Sequence, residues 1–307
     1  MLLQAVLTGL SVGAIYGLVA MGFAVVYYVN RVINFATGQL LMVSVMIIAG
    51  LGQSGWPTWG TIPLGLAAST VGAVLIYLLA VRPVLFFDRF SFAWLVSTLG
   101  VAIILASAAA LIWGTSSLPF PQLLNRSEAQ IFGASLSWQR ILAILVAVLL
   151  TLGIELFRTR TLSGKLAMAI SEDPDTAAAM GVNVTGYAVA AFALGGLLVG
   201  VAGVLVGPIS FANPYLGDTY GIYGFVALMV GGIERPAASM GGGLVLGVLT
   251  TIASTYINQL AADWFPFVVV IAVLLLTPNG IFRSGPTFRR LWGSVGPRAA
   301  ALGGGGR

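Results

Sequence analysis

Apolar runs and polar breaks alternate along this chain at a spacing that suits helices crossing a bilayer. Uncharged stretches cover 1–30, 32–81, 90–125, 176–217, 236–262 and 264–282. About 20 apolar residues at about 1.5 Å rise cross the hydrocarbon core, so each stretch is of membrane-spanning length. Hydropathy predicts helices near 2–29, 33–51, 62–81, 92–113, 141–157, 184–207, 219–233, 241–260 and 264–282. The segment 219–233 is the shortest, reaching only about 22 Å as a helix, and is open to a spanning or a re-entrant reading. Two connections are long: 114–140, and 158–183, the most polar stretch of the chain.

Composition supports the same picture. Hydrophobic residues make up 59% of the 307 and charged residues 7%, too few to cover a water-facing surface. The expected fold class is therefore all-α: a polytopic transmembrane bundle of eight or nine membrane helices. Residues 1–283 are expected to form the transmembrane domain and 284–307 a basic, Gly-rich tail. The first run lacks a basic leader and continues to Val29, which predicts a retained helix rather than a cleaved signal.

Charge placement orients the bundle. Nine crossings put Arg31, Arg82, Arg89, Arg158, Arg160, Lys165, Arg235, Arg283, Arg289, Arg290, Arg298 and Arg307 on one side, and only Arg126 and Arg140 on the other. Basic residues accumulate on the cytoplasmic face, so the N-terminus is expected outside and the C-terminus inside. That bias accounts for the net charge of +5 without a nucleic-acid partner. With Cys 0 and His 0, disulfides, thiol or imidazole catalysis and the usual zinc and haem ligand sets are excluded. No cofactor or metal is expected, and no enzymatic activity.

Small residues mark close helix contacts. Gly9, Gly13 and Gly17 recur every four residues on one face of the first helix, as do Gly196 and Gly200, Gly203 and Gly207, and Gly243 and Gly247. Such faces pack helices in lipid; spacing alone does not separate plain packing from a sliding seam. Polar breaks at 30–39 and 210–217 carry Asn34, Gln39 and Asn213, and are read either as cavity-lining backbone or as interfacial turns.

The stretch 171–181 predicts a short helix outside the bilayer. Asp173 suits the N-cap, Pro174 the first helical position, Asp175 the positive end of the dipole and Gly181 a left-handed stop. It serves either as a connector or as a docking element, its run of Ala177, Ala178 and Ala179 suiting a groove on another protein. No P-loop is present, since Ser163-Gly164-Lys165 is preceded by Thr159 where the motif needs glycine. Glu155, Asp218 and Asp263 all fall near predicted helix ends, where carboxylates are ordinarily solvated, so no buried acid of an ion-coupled pump is evident. A transporter built this way must borrow its energy.

The sequence resembles the membrane permeases of ABC importers for branched-chain amino acids, the LivH/LivM type. The resemblance rests on 9–18 (GLSVGAIYGL), 33–38 (INFATG), 172–181, 213–217 (NPYLG), the glycine pairs at 231–232 and 241–242, and 277–282 (TPNGIF). Thr37 and Gln39 are neutral where the family often carries His or Gln and then an acid, and the link between the glycine pairs is one residue short. The resemblance implies alternating access in a bacterial inner membrane, with a second homologous permease, two ABC ATPase subunits, an extracytoplasmic solute-binding protein and membrane lipid as partners. It also implies that Glu172, Asp173, Ala177, Ala178 and Gly181 couple to the ATPases. A translocation path is expected from Asn34, Gln39, Ser97, Thr98 and Asn213. Relatives of this type also carry urea, short amides or aromatic acids, and the rival from another class is a self-sufficient channel or secondary carrier.

Overall fold

The structure is a computed structural model that describes residues 2–87, 92–122, 128–131, 133–233, 235–277 and 280–282. Arg89, Arg126, Glu234, Pro278, Asn279, the basic residues from Arg283 onward and the tail 284–307 lie outside the described residues, as do the side chains of 259–263.

Apolar residues all round a helix bury it on every side, and the first helix shows this. Helix α1 (Leu2–Asn30) runs through the centre of the bundle, with Leu18, Val19, Ala20 and Met21 fully enclosed. Against it pack α9 (Val184–Ser210), α10 (Leu216–Gly231) and α11 (Pro236–Tyr256), and α2 (Thr37–Gln53) lies on α9 and α10. Helices α3 (Thr58–Ile76), α5 (Ala93–Trp113), α6 (Trp138–Arg160) and α12 (Gln259–Leu276) form the periphery. Ile103, Ile104, Leu111 and Ile112 on α5, like Leu145, Leu149 and Leu152 on α6, face outward, which suits lipid and not water.

Among the described residues, six helices are long and apolar enough to cross a membrane, and Thr37–Gln53 and Trp264–Leu276 are shorter apolar helices. Predicted bounds shift in several places. The predicted helix at 62–81 begins at Thr58 and continues through a π-turn (Tyr77–Val81) into α4 (Arg82–Phe87). The helix predicted from 33 starts at Thr37, because residues 32–36 form the break itself. The polar loop 158–183 contains two helices, α7 (Leu162–Glu172) and α8 (Pro174–Ala179). An otherwise all-α chain also carries an antiparallel strand pair in the long connection between α5 and α6, β1 (Glu128–Ile131) with β2 (Ala134–Ser137).

Glycines set the closest approach. A methyl at Gly9 would fall 2.7 Å from Val248 Cα, and one at Gly13 would fall 2.7 Å from the Gly243 carbonyl O; Gly17 faces Met240. Helices α1 and α11 therefore meet backbone to backbone and antiparallel, as small-residue faces allow in lipid.

Candidate functional site: a midway cavity and a projecting helix

Two interrupted helices converge halfway along α1. Tyr16 stacks on Tyr220 and Tyr223, with centroids 5.7 and 5.0 Å apart, and Phe23 lies 6.2 Å from Phe225, so α10 runs parallel to α1 and starts beside its middle. The first turn of α2 crosses the first turn of α10 there, and a methyl on Gly38 would sit 2.6 Å from Gly221 Cα. Gln39 Nε2 donates to Asp218 Oδ1 at 2.5 Å across this crossing, joining residues 179 apart in sequence. Gln39 is 3% exposed and its Oε1 has no partner among the described residues.

Both breaks are held by local bonds. Asn34 Oδ1 accepts the Ala36 amide at 3.1 Å, Thr37 Oγ1 donates to the Asn34 carbonyl at 2.6 Å, and the Phe35 amide reaches Thr98 Oγ1 on α5 at 3.4 Å. At the second break Asn213 Oδ1 accepts the Tyr215 amide at 3.0 Å, and Phe211 holds φ at +57°. A bulky residue in that region costs roughly 1–3 kcal/mol, which neighbouring contacts must offset. An antiparallel bridge between Ala212 and Leu118 ties this break to the segment after α5.

A cavity of about 850 Å³ opens beside the crossing, between α5 and α12. Its walls are largely hydrocarbon, including Phe23, Phe35, Phe225 and Phe267, and its polar corner is Gln39 with Asp218. Of the five residues expected on a path, Gln39 lines this cavity. Asn34 and Thr98 sit behind it and shape the break; Asn213 starts the turn into α10; Ser97 donates to the Ala80 carbonyl inside the π-turn at 2.8 Å.

The connection between α6 and α9 carries the other expected group. Asp173 caps α8, its Oδ1 accepting the Asp175 and Thr176 amides at 3.0 Å each. The Thr176 hydroxyl and amide, with the Asp175 amide, hold the Asp173 carboxyl below the usual carboxylate range. Gly181 closes the helix at φ +86°, a conformation costly to residues with a Cβ. Glu172 and Ala178 are exposed and Ala177 is buried, so α8 projects from the bundle on one anchored side.

Sequence reasoning missed two residues. Asp218 is exposed and near a helix end, as expected, but that end is the first turn of α10, which lies beside mid-α1. Arg31, the lone charge of the first break, holds φ at +55° and donates from Nε and Nη2 to the Ser171 carbonyl at 3.2 and 2.6 Å. It thus joins the end of α1 to the end of α7, one residue before Glu172. The only available signal was a single basic residue between two long uncharged runs.

Comparison with known proteins agrees with this architecture. The family described as branched-chain amino acid transport system / permease component matches residues 5–277. The high-affinity branched-chain amino acid transport system permease protein LivH of Escherichia coli K12 is 33% identical over 297 residues, covering 91% of this chain and 94% of that one. The corresponding permease BraD of Pseudomonas aeruginosa is 30% identical over 299 residues, covering 91% and 95%. Among solved structures, a metal-chelate type ABC transporter in an inward-facing conformation matches with a TM-score of 0.51 at 16% identity, over 90% of this chain and 87% of that one, a likeness of fold.

Proposed function

This chain belongs to the family of branched-chain amino acid permease components of ABC importers, and from that premise we propose that it conducts branched-chain amino acids inward by alternating access. It is a multi-pass membrane transport subunit and not an enzyme; membership implies ATPase partners and a second permease subunit. In this reading α2, α10 and α12 join the six longer helices as membrane segments, making nine. The N-terminus then lies outside, the basic inner connections and tail lie in the cytoplasm, and a solute-binding protein delivers cargo from outside.

The observation that carries the reading is that the first break, residues 32–36, is tied on both sides. Arg31 binds the end of α7, beside the projecting α8, and Gln39 binds Asp218 at the cavity. ATPase closure against Glu172, Asp173, Ala177, Ala178 and Gly181 would move α7, and through Arg31 the start of α2. Cargo passes through the cavity between α5 and α12, Asn34, Thr98 and Asn213 hold the interrupted backbone, and Ser97 steadies the π-turn. Gly9, Gly13 and Gly17 keep α1 close to α11, so helices shift as rigid bodies.

Reconstitution of the complete complex in liposomes tests this. Leucine, isoleucine or valine should be concentrated only with ATP and the loaded binding protein, and the permease alone should concentrate nothing. The double variant Glu172→Arg, Ala178→Arg should assemble yet hydrolyse ATP without uptake. Concentrative uptake by the chain alone would establish the self-sufficient carrier instead. Thermal stabilisation of the binding protein by urea or short amides, with no response to branched-chain amino acids, would reassign the cargo.

A further inference from the structure

The polar corner of the cavity has acceptors in excess of donors. Asp218 is the only ionisable residue in the described lining, and no basic residue faces it there. Gln39 gives one of its two amide N–H groups to Oδ1, while its own Oε1 has no donor among the described residues. A carboxylate offers about four lone-pair sites, so most of the acceptor capacity of Asp218 stays open. The side chain is exposed to this lumen, and Gly217 and Gly221 beside it present no side chain to shield it.

The rest of the wall is suited to the body of a small apolar molecule. Phe35 and Phe225 lie 5.5 Å apart, and Phe23 completes a cluster of three rings around Phe225. Ring faces attract a nearby cation as well as hydrocarbon. A solute bearing only a negative charge would meet one carboxylate and no counter-charge.

We propose that Asp218, oriented by Gln39, binds the ammonium group of the passing solute, while the Phe23, Phe35 and Phe225 wall takes its hydrocarbon end. Selection against anions is then exercised inside the membrane subunit as well as by the protein that delivers cargo. This rests on the reading that the cavity is the translocation path, and it adds which end of the solute the path recognises.

The absence of cysteine from the chain makes a direct test possible. Ala106→Cys, in the cavity wall, is introduced into the full complex and treated with methanethiosulfonate reagents carrying either a trimethylammonium or a sulfonate group. Rates are divided by those of each reagent with free cysteine. The cationic reagent should react about tenfold faster than the anionic one after this correction, and Asp218→Asn should bring the ratio near unity while Asp218→Glu retains it. 3-Methylbutylamine should slow the reaction and 4-methylpentanoate should not. A corrected ratio near one with Asp218 present overturns the proposal, whether or not Asp218→Asn assembles. If modification blocks the uptake of its own unmodified control but shows no charge preference, the path reading stands and the ammonium site falls. A cysteine that neither reagent reaches in any nucleotide state removes both.

Discussion

Replacing Gly13 by alanine should loosen the central helix pair by an amount that the geometry allows to be worked out. The new methyl would lie 2.7 Å from the Gly243 carbonyl O and 2.9 Å from Leu244 Cα. Ordinary contact begins near 3.5 Å, so the helices must separate by about 0.8 Å. Both obstacles are backbone, and no rotamer change relieves them. Overpacking of this kind costs about 1–3 kcal/mol, whereas alanine for glycine within a helix contributes up to about 1 kcal/mol in the other direction. Gly153 on α6 provides the control, because nothing lies within 4 Å of a methyl placed there. Gly153→Ala collects the propensity term alone, so the two variants should differ by about 1–3 kcal/mol. Reversible unfolding in mixed micelles, or steric trapping in bicelles, measures that difference. Equal stability of the two variants would refute the claim that α1 and α11 touch backbone to backbone.

Two further outcomes follow from Arg31 and from the α8 cap. Arg31→Gln should leave assembly and ATP hydrolysis in place but lower solute moved per ATP by about fivefold or more, with Arg31→Lys intermediate because a single ammonium lacks the two-pronged donor; an unchanged ratio would remove Arg31 from the coupling route. Because its partners lower the pKa of Asp173 in the folded chain, the cap is fully present above the ordinary carboxylate range and is lost as pH falls through the lowered value. The Thr176 amide resonance should therefore titrate below about pH 3.9, and Thr176→Val should raise the midpoint; a midpoint at or above the ordinary value would contradict the capping geometry.

Much of the architecture was readable before any coordinates. Long uncharged runs state their own environment, since a helix without charges has to sit in hydrocarbon or in a core. Start and stop residues around 173–181 act within a few positions, and the capped α8 follows from them. The four-residue glycine spacing likewise announced a close face on α1, though not its partner. What escaped notice is irregular or distant: the π-turn at Tyr77–Val81, the strand pair of β1 and β2, and the departure of α2 from residue 37. Each depends on neighbours that offer or withhold a hydrogen bond, and no periodicity encodes them.

Membrane residence and the family likeness are properties of residue type and short-range order, and these are written along the chain. The pairing of Gln39 with Asp218 and of Arg31 with the Ser171 carbonyl joins positions 179 and 140 residues apart. Neither bond has a local signature, because each residue is ordinary in its own surroundings. The crossing of α2 and α10 beside α1 brings the two breaks to one level and turns unremarkable polar residues into a cavity corner and a tie between α1 and α7.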